Sequence, residues 1–293
     1  MTEREGRLEW RGHGTWYRVV GDGGPGRDPL VCLHGGPGSS HNYFVRLERL
    51  AEQGRQVVMY DQLGCGRSDR PDGMDWTLQV FLDELAELRT QLGLERIHLL
   101  GTSWGGMLAL EHALSGYGGL RSLVLSSTLA SAEEWEVEVG RLKSELPPDV
   151  VATLDRHEQA GTIDDPEYRD AMRVFDDRHF YRGGEEPPEL ERMAAERAPE
   201  VYRAMWGVNE WTVTGSLRGW DVRPRLHELH VPTLVIRGRH DLSTDSISRT
   251  LVEGIPNTRE VVLEESSHTP VLEETDRYLD VVGGFLLEVE GAS

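Results

Sequence analysis

Ile97-His-Leu-Leu100, then Gly101-Thr-Ser103-Trp-Gly105-Gly106, then residues 107–114 are the stretch that decides the fold. The first four residues are an apolar run, the last eight a helical segment, and a G-x-S-x-G turn lies between. Strand, tight turn and helix in that order form the setting of a nucleophile elbow. The glycines have a physical reason, because such a turn crowds its neighbours and holds the serine in a strained backbone conformation. The Ser103 hydroxyl would then stand above the sheet edge, near the positive end of the following helix. Taken alone the pattern is short, and a plain glycine-rich strand–helix connection satisfies it too.

The chain on either side repeats the same alternation. Leu30–Leu33, Val57–Tyr60 and residues 123–125 read as strands buried on both faces. Residues 78–92 carry Leu78, Phe81, Leu82, Leu85, Leu88 and Leu92 on one helical stripe. From Ser131 to about Trp220 the pattern changes to an acidic segment broken by Pro147-Pro148 and Pro187-Pro188, read as several helices without strands. Strands resume at 232–236 and 259–263, and a last helix is expected over about 273–287. The expected fold class is therefore α/β, a mostly parallel central sheet with an inserted helical cap. Residues 1–130 and 221–293 would form the core, and 131–220 the cap.

Composition narrows the setting. The formal net charge of −20 disfavours nucleic acid and anionic membranes as partners. No run approaches the length of a membrane span, and the N-terminal MTEREGRLEW has no apolar stretch after its charges. A cytoplasmic location is the expectation. Cys32 and Cys65 can build neither a disulfide framework nor a clustered metal site, and both read as structural. With no metal-ligand spacing such as H-E-x-x-H, neither a metal nor another cofactor is expected.

A serine nucleophile needs a base, and the base needs a carboxylate to orient it. In this strand–turn–helix setting the chain order is serine, then acid, then histidine. Asp241 follows the strand at 232–236, and His268 follows the next strand through Glu264-Glu-Ser-Ser267. Both belong to the sheet edge where ligands bind in open α/β sheets. His240 precedes that last strand and is the weaker base; Asp61 and Asp69 read as braces of their own loop, and His98 and His112 as structural. The oxyanion donors are assigned to the N–H groups of Gly36, in His34-Gly-Gly-Pro-Gly38, and of Trp104.

His34-Gly-Gly-Pro-Gly38, Asp61-Gln-Leu-Gly-Cys-Gly-Arg-Ser-Asp69 and Gly101-Thr-Ser-Trp-Gly-Gly106 together resemble the proline iminopeptidase family. The likeness runs from about Trp16 to the C-terminus. It implies the α/β-hydrolase fold and a serine hydrolase that releases one N-terminal aminoacyl residue, of the proline or alanine type, from a peptide or amide. It also implies a substrate with a free amino terminus, held by acidic side chains. The segment Trp206-Gly-Val-Asn-Glu-Trp211 carries that role onto Glu210.

The chain departs from the family pattern at Leu242, where a second glutamate commonly follows the triad aspartate. An apolar residue there suits the variant of this chemistry that removes a protecting aminoacyl group from a polyketide amine in macrolactam antibiotic biosynthesis. Val139, Leu142, Met172, Phe175, Met193, Met205 and Trp206 are the cap's candidates to line a channel for such a leaving group, with packing of the cap itself as the alternative for most of them. Two alternatives compete with amide hydrolysis. An esterase or lactonase would ignore the substrate amine, and a non-catalytic ligand-binding protein would keep the fold without turnover.

Overall fold

The computed structural model describes residues 2–291. The chain opens with β1 (Glu3–Trp10) and β2 (His13–Val20), an antiparallel hairpin whose first strand has no apolar run. There follow β3 (Leu30–Leu33), a 3₁₀ segment His41–Gln53, β4 (Val57–Tyr60), α1 (Leu78–Gln91), β5 (Ile97–Thr102), α2 (Trp104–Leu114) and β6 (Leu120–Ser126). Five helices come next: α3 (Ala132–Ser144), α4 (Pro148–Ala160), α5 (Pro166–His179), α6 (Pro188–Glu196) and α7 (Pro199–Met205). A small hairpin, β7 (Gly207–Asn209) with β8 (Thr212–Val213), follows them. The chain ends with β9 (Thr233–Gly238), α8 (Asp245–Gly254), β10 (Thr258–Leu263), α9 (Pro270–Glu273) and α10 (Thr275–Gly291).

The β7–β8 hairpin corrects the reading of residues 131–220 as helices without strands. Strands of three and two residues are too short to show a period of two.

The eight-stranded sheet has the order β1-β2-β4-β3-β5-β6-β9-β10. Pairing is parallel from β4 to β10 and antiparallel for β1–β2 and β2–β4. Every residue of β3, β4, β5 and β9 is buried, which is why these strands read as unbroken apolar runs. On α1 the stripe holds Phe81, Leu85 and Leu88 fully buried. Each such side chain contributes about 2 kcal/mol.

Two features of the topology place the site. The chain leaves β3 for β4 on one side, then crosses to β5 on the other, so the loops beyond β3 and β5 diverge and open a crevice. The segment between β6 and β9 departs and returns at one point. Ser131 and Asp221 form an isolated antiparallel bridge, flanked by Ala132 N–H to Trp220 O (2.9 Å) and Val222 N–H to Ala130 O (2.9 Å). Among the described residues no helix is long and apolar enough to cross a membrane.

Candidate active site

Ser103 sits between β5 and α2 with φ 54° and ψ −122°, a region that residues with a Cβ avoid. Close packing forces it there. A Cβ on Gly105 would lie 2.0 Å from the Leu33 carbonyl oxygen, so only glycine lets α2 begin this near to β3. Ser103 N–H donates to Ser126 O (3.0 Å), and its own carbonyl accepts from Gly106 N–H (2.8 Å) and the Thr128 hydroxyl (2.7 Å). The strained residue is thus fixed from several sides, as such conformations require.

Asp241 and His268 stand beyond the carboxyl ends of β9 and β10, and both are buried. His268 Nδ1 donates to Asp241 Oδ1 at 2.7 Å. Ser243 N–H (2.9 Å) and Gly238 N–H (3.3 Å) hold the same carboxylate. Burial lowers the imidazole pKa, but the charge and hydrogen bond of Asp241, aided by Glu210, outweigh it and raise the value above 6.5. The ring packs beside Trp135 (centroids 6.0 Å apart) and Phe180 (5.7 Å).

Ser103 and His268 line one cavity of about 550 Å³. No hydrogen bond joins the Ser103 hydroxyl to the imidazole in this structure; in hydrolases this contact characteristically tightens once substrate is engaged.

The structure brings Gly36 and Trp104 to Ser103. All three line a small void of about 10 Å³ shared with Trp135, Trp206 and Glu210. Gly36 has φ 112°, a value open to glycine and strained for any other residue. Trp104 is the first residue of α2, so its N–H has no partner within the helix.

Glu210 lies at the turn between β7 and β8, not on a helix. The Tyr202 hydroxyl donates to its Oε1 at 2.7 Å, and Trp135 Nε1 donates to its carbonyl at 2.9 Å. Burial raises its pKa, against the pull of that hydrogen bond and of His268.

A second acid, which sequence reading did not find, faces the same cavity. Asp176 lies on α5 between Phe175, packed edge-on to Trp211 (5.2 Å), and Phe180, packed on His268. Among the described residues its carboxyl group makes no hydrogen bond or ion pair. Burial, reinforced by the charge of Glu210, pushes its pKa up to about 7. No signal marked it out from Asp177 and the other helix acids of this region. Asp245, the nearest acid in sequence to Leu242, is engaged by Arg237 and Arg239 and does not line the cavity; Leu242 does.

The expected apolar channel is partly redrawn. Met172 and Met193 line the cavity, joined by Phe180 and Leu190. Val139, Leu142, Phe175 and Met205 face the packed core, and Trp206 borders only the small void. Hydrophobic periodicity cannot separate a cap helix's inner face from its cavity face. Asp61 and Asp69 hold their own loops: Asp61 accepts from His41 N–H (2.8 Å) and Arg67 N–H (2.9 Å), and Asp69 from Gly14 N–H (2.7 Å).

A buried acid–imidazole pair beside a strained serine at the switch point of a parallel sheet defines a class, and comparison bears on it directly. The family model described as alpha/beta hydrolase fold matches residues 28–275. The proline iminopeptidase of Clostridioides difficile (strain 630) is 42% identical over 292 residues, covering 98% of this chain and 99% of the relative. The crystal structure of VinJ superposes with a TM-score of 0.94 at 43% identity, covering 98% of this chain and 99% of that one. That of proline iminopeptidase from Mycobacterium smegmatis gives 0.90 at 40% identity, covering 99% of each. The chain belongs to the proline iminopeptidase family of α/β-hydrolases. It is an enzyme, a serine peptidase-type hydrolase of amide and peptide bonds.

Proposed function

We propose that the protein removes a single N-terminal aminoacyl residue, proline or alanine in type, from a substrate with a free amino terminus. Ser103 Oγ adds to the acyl carbonyl carbon while His268 Nε2 takes its proton. Asp241 fixes the tautomer and stabilises the imidazolium that forms. The N–H groups of Gly36 and Trp104 hold the oxyanion. The C–N bond then breaks as His268 passes the proton to the departing amine. Water, deprotonated by the same imidazole, releases the amino acid and restores the serine.

One observation carries the substrate reading: Glu210, partly buried, lines the cavity shared by Ser103 and His268. An ammonium paired with it in a poorly solvated cleft fixes the first residue and sets its carbonyl at the nucleophile. Asp176 supplies a second negative charge on the cap side. The cap, taken as residues 131–220, therefore contributes the specificity and the core contributes the chemistry.

Leu242 and the apolar lining of Met172, Phe180, Leu190 and Met193 favour a long apolar leaving group, such as the amine of a macrolactam polyketide whose protecting aminoacyl group is removed. Two buried, unpaired thiols suit a cytoplasmic enzyme.

The test compares an alanyl or prolyl anilide bearing a free amine with its N-acetyl twin. The acetylated compound is expected to be rejected by about 100-fold or more in kcat/KM, as for a buried charged partner left unpaired. Equal turnover of the two would leave a hydrolase indifferent to the amine. Alanyl and prolyl groups on short and long apolar amines then rank the leaving groups, and a preference for short prolyl peptides would overturn the macrolactam reading.

A further inference from the structure

We infer that Gln62 is a positioning residue that sets the spacing between the two oxyanion donors, Gly36 N–H and Trp104 N–H. The inference rests on the acyl-transfer reading above.

Gln62 lies just beyond β4 and is fully buried. Its backbone N–H donates to His34 Nε2 at 3.0 Å, and its side-chain Nε2 donates to the His34 carbonyl at 3.0 Å. Its Oε1 accepts from the Trp104 indole N–H at 2.7 Å. Chemistry fixes the orientation of this amide, because an indole N–H can only donate and a carbonyl oxygen can only accept. His34 Nδ1 donates to the Gly35 carbonyl at 2.9 Å, which leaves Nε2 as the acceptor. Burial pushes the His34 pKa down to about 4, so the ring is neutral near pH 7. Cys65 Sγ closes the set by donating to the Gln62 carbonyl at 3.0 Å.

One side chain therefore ties together two segments from different strands. The turn after β3 carries Gly36, and the first residue of α2 carries Trp104. Only an amide of this length both donates to one segment and accepts from the other. Glutamate would lose the donor and set a carboxylate against the His34 carbonyl; methionine fills similar space and makes neither bond. Oxyanion donors act on charge that exists only in the transition state, so a small error in their spacing lowers turnover more than ground-state binding.

The experiment uses Gln62→Met and Trp104→Phe in the full chain. For each, kcat and KM are measured on an alanyl anilide, with affinity for a phenylboronic acid, which adds reversibly to a serine hydroxyl as a tetrahedral anion. Thermal melting and active-site titration with a fluorophosphonate count the folded, competent molecules. Gln62→Met is expected to lose about 10- to 100-fold in kcat with KM changed less than about threefold, and boronate affinity should fall by the same factor as kcat. Trp104→Phe keeps the backbone donor and should lose less; added to Gln62→Met it should cost little more, because both cut the same link.

A folded Gln62→Met enzyme with near-normal kcat overturns the inference, and so does a loss of kcat with boronate affinity intact. If that variant does not fold, Trp104→Phe decides by the same two criteria. Retained activity in Ser103→Ala would instead defeat the acyl-transfer reading, so the two failures are distinguishable.

Discussion

The two walls of the cavity are built in opposite ways. On the core wall, Ser103, Gly36, Trp104, Asp241 and His268 sit at strand ends, and hydrogen bonds to neighbouring segments hold the elbow, its turn and the imidazole. On the cap wall, among the described residues, Glu210 has one side-chain partner, Tyr202, and the Asp176 carboxyl has none. A carboxyl that opens onto the cavity without a protein partner is free to pair with a charge that a ligand supplies. On the proposed reading, chemistry is preorganised by the protein alone, whereas recognition is completed by the substrate.

The largest test of that contrast is Ser103→Ala. It is expected to lower kcat on an alanyl anilide by about 10⁴-fold or more while KM stays within a few-fold, since the cap wall is untouched. Residual activity near wild type would show that the core wall is not where bonds are broken. For the intact enzyme, kcat should rise with pH along a limb centred above 6.5, because His268 acts as a base only when neutral and its partners favour the protonated form.

Glu210→Gln comes next. The side chain keeps its size and can still pair with Tyr202 but loses its charge. A loss of about 100-fold in kcat/KM for free-amino substrates is expected, on the scale of a charge-assisted hydrogen bond in a buried site. An N-acetyl anilide should be affected far less. If both substrates suffer equally, the residue shapes the site and does not read the amine, and the contrast between the walls fails on the cap side.

The same contrast explains what the sequence made legible. Strands buried on both faces announce themselves as apolar runs, and the residues just beyond their ends inherit a known position; Ser103, Asp241 and His268 were located that way. The β1–β2 hairpin was not, because β1 alternates exposed charges with Leu8 and Trp10 and has no apolar run. Asp176 had no signal at all, since its place in the cavity depends on the docking of α5 against Trp211 and His268, a contact between distant segments. Gln62 stood inside a quoted motif, yet three hydrogen bonds to partners 28 and 42 residues away give it meaning. Glu210 was reached only through family likeness, because the β7–β8 hairpin that presents it is too short to show in the sequence pattern.

Asp176→Asn sharpens the cap wall by a smaller step. With its pKa raised to about 7, Asp176 is increasingly ionised as pH rises through neutrality, so its attraction for a substrate ammonium grows in that direction. Between pH 6 and 7, where an α-amino group (pKa ~7.7–8) is still mostly protonated, KM for an alanyl anilide should fall by several-fold. In Asp176→Asn that slope should flatten, leaving KM about tenfold above wild type at pH 7.5 and closer to it at pH 6. An unchanged KM–pH profile would remove Asp176 from recognition and leave Glu210 as the sole anchor.

Leu242→Glu is the smallest change and the one that asks whether the two walls can trade roles. Leu242 follows Asp241, is almost fully buried and borders the cavity, so the substitution sets a carboxylate on the core wall beside the imidazole. Two effects compete there. The new charge gives an ammonium a third acidic partner and raises the polarity of the wall, which favours a compact prolyl or alanyl peptide. It also removes apolar surface from the path of a long leaving group. The ratio of kcat/KM for a short peptide over a long apolar amide is therefore expected to rise by about three- to tenfold, the range that one group in a pocket commands. The charge should also raise the His268 pKa further and shift the acid limb of kcat upward. A shifted limb with an unchanged substrate ratio would mean that residue 242 tunes the base and leaves selection of the leaving group entirely to the cap.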